Sequence, residues 1–230
     1  MGSQQASGPV ALGSAERLQQ SPTASDPGSA EHRRLYATFA KAAYDGADKA
    51  VLPEGYITDI AYSNRNQVLA LNHEKKHAVL AFRGTDLTNV SKAVGDLADD
   101  ALLATGLKTL SSRFRGGVRA AKAVKIAYPE YSLAVTGHSL GASTAAHVHS
   151  KVKDTDFVGY STHVPVREAT QNIAWGAIDA LLKKPNRKRS TNYITAADPV
   201  SWTAPTAFDK ATYVVPQTSK NPHSLDNFLA

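Results

Sequence analysis

Thr136-Gly137-His138-Ser139-Leu140-Gly141-Ala142 is the stretch whose residue types and spacing most resemble chemistry. It has the form G-x-S-x-G, after the apolar, β-prone run Ser132–Thr136 and before Ser139–Val152, an Ala- and His-rich segment read as helix. A serine at the tip of a sharp strand-to-helix turn sits in strained backbone and tolerates little bulk nearby. Gly137 and Gly141 would let the strand and helix approach there, and Ala142 keeps the corner small. The helix N-terminus then aims backbone N–H groups at an oxygen that becomes anionic during attack. Ser139 is therefore a candidate nucleophile. The plain alternative is a glycine-flanked helix cap without chemistry. His138 points away from the nucleophile in such a turn, which makes it a core or supporting histidine.

A serine nucleophile needs a base, and the base needs an orienting acid. With this kind of turn the acid follows the serine in the chain and the histidine comes last. Beyond the helix after Ser139, which holds His147 and His149, only His163 and His223 remain. His223 lies in the polar segment Asn221-Pro222-His223-Ser224-Leu225-Asp226-Asn227, late in the chain, and is the better candidate. His163, before Val164-Pro165, reads as a loop or pocket residue. For the acid, Asp198 directly follows the strand-like Tyr193–Ala197 and precedes Pro199, the loop position where a triad acid normally lives. Asp156 is expected before its strand, Asp179 within a helix, Asp209 in a polar segment, and Asp226 too close to His223 to come round behind the imidazole.

The elements that must position these groups alternate. Glu31–Asp45 has near-helical apolar spacing and Gly46 offers a stop. Gln67–Leu71 and His77–Phe82 flank a polar turn and read as paired strands. Leu110–Tyr128 is a second helix, and Phe157–Ser161, Asn192–Thr195 and Tyr213–Val215 are further strands, with a helix expected at Gln171–Lys184. This alternation predicts an α/β fold: one domain over 31–230, with a central, mostly parallel sheet flanked by helices. Residues 1–30, rich in Gly, Ser, Ala, Gln and Pro, read as a disordered arm. Because His223 stands only seven residues before Ala230, the base is expected on a lightly anchored tail.

The 230 residues contain no cysteine, which excludes a thiol nucleophile, disulfides and a Cys-ligated metal. Formal charge is +6, suited to an anionic surface of any kind. Neither a secretory signal nor an apolar run of membrane-spanning length is evident, so the reading is a soluble protein, with the cytoplasm slightly favoured.

At this point the sequence resembles the class 3, fungal-type lipase family of the α/β-hydrolases. The resemblance is carried by Ala81-Phe82-Arg83-Gly84-Thr85, the Gly137–Gly141 motif, Asp198-Pro199-Val200 and His223-Ser224-Leu225, in the family's order over roughly residues 31–230. It implies Ser139 as nucleophile, Asp198 as acid and His223 as base. It also implies an oxyanion hole from the backbone N–H groups of Thr85 and Leu140, with Arg83 fastening the loop through Gly84. Asp96-Leu97 resembles a structural Asp-Leu pair of the family. The chain departs from the family at Val94-Gly95, Ser111–Phe114 and Gly159–Pro165, and in having no disulfide.

The implied activity is hydrolysis of carboxylic esters, acyl esters of lipids first, through an acyl-enzyme and without metal or organic cofactor. Leu97, Ala98, Leu102, Leu103, Leu107 and Leu110 would line an acyl groove or form a lid within Leu87–Arg113, or else simply pack a helix on the core. The expected partner is a lipid or small ester, with transient contact to an anionic membrane surface. The basic run Lys183–Arg189 lacks interleaved aromatics, so nucleic acid is not favoured, and the oligomeric state is left open. The competing reading is a noncatalytic binding or structural module on the same fold that engages anionic surfaces through this run.

Overall fold

β-branched and apolar residues fill the central strands on both faces, as a sheet covered by helices on both sides requires. The computed structural model describes residues 26–85, 106–162, 190–198 and 212–230. Its elements are α1 (Ala30–Asp45), β1 (Ile57–Asn64), β2 (Gln67–Asn72), β3 (His77–Phe82), α2 (Gly106–Ala127), β4 (Ser132–His138), α3 (Leu140–Lys151), β5 (Thr155–Tyr160), β6 (Ser190–Thr195), β7 (Thr212–Val215) and α4 (Asp226–Leu229). The seven strands lie in one sheet in chain order. β1, β2 and β3 pair antiparallel, and β3 through β7 pair parallel. The α/β architecture expected from the alternation is the one observed. The helix expected at Gln171–Lys184, most of the lid segment and the basic run 183–189 lie outside the described residues.

Strand alternation divides the core in two. On one face Val79, Ala81, Ala134, Val158 and Tyr160 meet Tyr36, Phe39 and Ala40 of α1 and Phe228 of α4. On the other, Leu80, Phe82, Leu133, Val135 and Phe157 meet Ala121 and Val124 of α2 and Ala145 and Val148 of α3. α1 begins where Ser29 Oγ accepts from His32 N and stops at Gly46, whose φ of 87° is open to glycine. Asp156 falls inside β5 rather than before it, opposite Ala134 of β4 and so far from the strand ends that carry Ser139 and Asp198.

The segment around His223 is better anchored than its nearness to Ala230 predicted. Phe228 is fully buried with its ring 5.1 Å from that of Tyr160, and Asn227 is buried beside it. Arg33 and Arg34 of α1 both donate to the carbonyl oxygen of Ala230, at 2.6 and 2.9 Å. The polar letters of this segment read as solvated, but they are spent on internal hydrogen bonds while one aromatic ring fills the core.

Candidate active site

Ser139 stands between β4 and α3 with φ 57° and ψ −125°, a backbone conformation costly for any residue with a Cβ. What holds it there is close packing of backbone. A Cβ built on Gly141 would lie 2.1 Å from the Phe82 carbonyl oxygen, and one on Gly137 would lie 2.5 Å from the Gly141 carbonyl carbon. The start of α3 is therefore pressed against the end of β3 on one side and its own strand on the other. Ser139 N–H continues the β4–β5 ladder by donating to the Tyr160 carbonyl at 2.9 Å. The turn thus presents Ser139 at the C-terminal edge of the sheet, where crevices form in parallel α/β folds.

Asp198 lies just past β6, fully buried, its N–H donating to the Thr195 carbonyl at 3.2 Å. Its Oδ2 accepts from Nδ1–H of His223 at 2.9 Å. That bond fixes the imidazole tautomer, leaving Nε2 as the acceptor in the neutral ring. The sequence-expected acid and base are thus brought together across 25 residues of chain. The His223 ring also packs against His138, with centroids 4.8 Å apart, so it lies beside the residue preceding Ser139. No hydrogen bond joins Ser139 Oγ to His223 in this structure. Asp226 is exposed and accepts from Ser224 Oγ at 3.0 Å, away from any role behind the imidazole.

His138 ties these parts together. Its Nε2 faces the His223 backbone carbonyl at 2.8 Å, a partner that can only accept, so the proton sits on Nε2. Nδ1 is then free to accept from Tyr44 O–H at 3.0 Å. Burial, reinforced by the neighbouring His223, pushes the His138 pKa down to about 3, which keeps the ring neutral. Tyr44 also closes over the loop after β3: a Cβ on Gly84 would lie 2.1 Å from Tyr44 Oη and 2.6 Å from the His138 carbonyl oxygen. Gly84 therefore brings Thr85 next to the Ser139 turn, and Leu140 is buried at the start of α3. The loop is fastened from α2, because Arg113 donates to the Arg83 carbonyl, while the Arg83 guanidinium lies 6.0 Å over the Tyr44 ring.

Several contributors carry no sequence motif. Tyr44 and Thr195 reach the site through side-chain hydrogen bonds across 94 and 27 residues of chain, and Asn227 through bonds within the loop that carries His223. The one available signal for Tyr44 was its place at the end of the opening helix, within Ala42-Ala43-Tyr44. His149 is buried, bonded to Thr155 and Ser190, and serves packing rather than the site. His163, Asp179 and Asp209 lie outside the described residues. Among the described residues no group of three or more His, Asp or Glu is arranged to hold a metal ion, and no helix is long and apolar enough to cross a membrane.

The lipase (class 3) family model matches residues 85–167, from the loop after β3 through the Ser139 turn. Asp198 and His223 fall outside that match, so their pairing rests on geometry alone. The fold is similar to that of an MDLA variant from Penicillium cyclopium, with a TM-score of 0.50 and 16% identity over 86% of this chain and 83% of that one. It is also similar to a fungal lipase described for an unusual buried polar cluster, with a TM-score of 0.52 and 16% identity over 85% of this chain and 83% of that one. No curated protein sequence matches the chain. The family match over residues 85–167 points to the class 3 lipases and supports esterase or lipase activity in general terms, and the structural likenesses show a shared fold.

Proposed function

We propose that this chain, with the class 3 lipase match and fold described above, is a serine hydrolase that cleaves carboxylic esters, acyl esters of lipids foremost. Its catalytic unit is a single domain over residues 31–230. The observation that carries the reading is the buried Asp198–His223 pair packed ring to ring against the strained Ser139 turn. Ser139 Oγ attacks the ester carbonyl carbon while His223 Nε2 takes its proton, and Asp198 supports the resulting imidazolium through Nδ1–H. The carbonyl oxygen becomes anionic and is met by the Thr85 and Leu140 N–H groups, one such donor being worth about 3 kcal/mol. The C–O bond to the alcohol then breaks and His223 returns its proton to the leaving oxygen. Water, deprotonated by the same Nε2, releases the acid and restores Ser139. Substrate approach closes the gap between Ser139 and His223, as apo sites commonly tighten only in the Michaelis complex.

The lipid assignment draws on the family match and on the charge of α2. One side of this 22-residue helix carries Arg115, Arg119, Lys122 and Lys125, and the helix has no acidic residue, a face suited to transient contact with anionic phospholipid. The missing Ser139–His223 hydrogen bond favours a second reading, a noncatalytic module on the lipase fold. One experiment separates them: fluorophosphonate labelling together with turnover of p-nitrophenyl esters, triglyceride and phospholipid. Stoichiometric labelling and turnover that fall by about 10⁴-fold or more in Ser139→Ala are expected. A wild-type protein neither labelled nor active across acyl lengths overturns the hydrolase reading.

A further inference from the structure

We infer that Asn227 is a positioning residue for the base, an inference that rests on the reading of His223 as that base. Asn227 is 1% exposed, and its amide makes five hydrogen bonds, every one of them to main chain. Oδ1 accepts from the N–H groups of Thr218 and Ser219, at 2.9 and 2.6 Å. Nδ2 donates to the carbonyls of Asn221, Pro222 and Ser224, at 2.9, 3.1 and 3.0 Å, sharing two protons among three acceptors. Two donors face the oxygen and three acceptors face the nitrogen, so the amide has one workable orientation and no unused bonding capacity.

These bonds bracket His223 on both sides in sequence. Pro222 O precedes it, Ser224 O follows it, and its own carbonyl accepts from His138 Nε2. Thr195 Oγ1, three residues before Asp198, donates to Pro222 O at 2.7 Å. Four successive carbonyls, 221 to 224, are thereby held by side chains from α4, β6 and β4. None of residues 218–224 belongs to a strand or helix, so this loop meets much of its backbone hydrogen-bonding demand through side chains, the Asn227 amide foremost, instead of a ladder. The Pro222 and Ser224 carbonyls flank the Cα from which the imidazole hangs. Releasing them lets the ring swing off Asp198, and a misplacement of about 1 Å in a reacting group costs on the order of 10²-fold in rate.

The test reads position separately from stability. Histidine-¹⁵N-labelled protein reports the Nδ1–H tautomer of His223, assigned by its loss in His223→Gln. Fluorophosphonate labelling reports the reactivity of Ser139. Asn227→Ala is expected to lose the fixed tautomer signal and to slow labelling by about 10- to 100-fold. Thr195→Val, which deletes only the bond to Pro222 O, moves both readouts the same way by less, and decides the matter if Asn227→Ala does not fold. Val124→Ala, in the opposite core, lowers Tm without moving either readout. Retention of the Nδ1–H signal and labelling rate in Asn227→Ala overturns the inference. So does Val124→Ala shifting both as far at equal Tm loss. A wild-type protein with the fixed tautomer but no labelling at Ser139 would instead remove the hydrolase reading, and the tautomer signal in Asn227→Ala still decides the role of Asn227.

Discussion

The two halves of the site are held by opposite means. The Ser139 turn is fixed by what is missing: glycine at 137 and 141 lets backbone touch backbone, with no side-chain hydrogen bond capping the helix that follows. The His223 loop is fixed by what is added, since side chains from three elements take up four consecutive carbonyls. The first device is steric and local, so it admits almost no substitution. The second is polar and distributed, so it should yield by degrees. His138 belongs to both, lying in the strand that ends at the turn and donating to the loop.

The sharpest way to break this contrast is Gly141→Ala. The added methyl would sit 2.1 Å from the Phe82 carbonyl oxygen and 2.9 Å from its carbon, backbone that cannot rotate away. We expect a loss of several kcal/mol in unfolding free energy and at least 10²-fold in ester turnover, larger than that of any single hydrogen-bond deletion in the His223 loop. Urea unfolding and turnover on the same preparation check it. Tolerance of the methyl would mean that the turn is compliant and that the steric account is wrong.

The same contrast explains what could be read from the chain. Steric devices leave their mark in neighbouring letters: Gly137, Ser139 and Gly141 stand within five positions, and the β-type run before them placed the turn on a strand end. The central strands were legible for a like reason, because burial on both faces of β3 and β4 writes continuous apolar runs. Asp198 and His223 could be picked out by chain order and by exclusion of rivals such as Asp226. Asn227 could not. An asparagine in a polar segment near the end of a chain reads as solvated, and nothing nearby announces that its partners are five backbone groups. Tyr44 could be placed at the end of the opening helix, but not against His138, which stands 94 residues away.

Acid should sharpen the comparison, because burial lowers the pKa of His32, His147, His77 and His138, the last two most strongly. His138 joins turn and loop, with its pKa pushed down to about 3, chiefly by burial. His77, at the other end of the sheet, is bonded through Nδ1 to Tyr56 Oη at 2.7 Å and is pushed down to about 4, again chiefly by burial. Above about pH 6.5 both are neutral folded or unfolded and contribute no pH dependence. Below it the unfolded chain takes up protons that the folded chain refuses, so stability falls as pH drops toward the folded values. The expected loss is on the order of 2–3 kcal/mol per histidine between pH 6.5 and 4. Denaturant midpoints across this range should slope accordingly, and His77→Gln should remove a substantial part of the slope. A flat profile in the wild type would show that His138 does not hold the loop as a neutral donor.

The smallest effect belongs to Asp226, and it tests whether proximity in sequence counts for anything in this loop. Asp226 is three residues from His223 and one from Asn227, yet it is exposed and bonded only to Ser224 through Oδ2 and, by its own N–H, through Ser224 Oγ at 3.2 Å. It starts a four-residue helix, too short for a sizeable dipole, so its charge there stabilises little. Asp226→Asn keeps the shape and the bond to Ser224. We expect turnover within about twofold of wild type and unfolding free energy within about 0.5 kcal/mol. A drop of tenfold or more in turnover would make the carboxylate beside the loop, rather than the buried one at Asp198, the group that orients His223. It would also replace a loop organised by a neutral amide with one organised by charge.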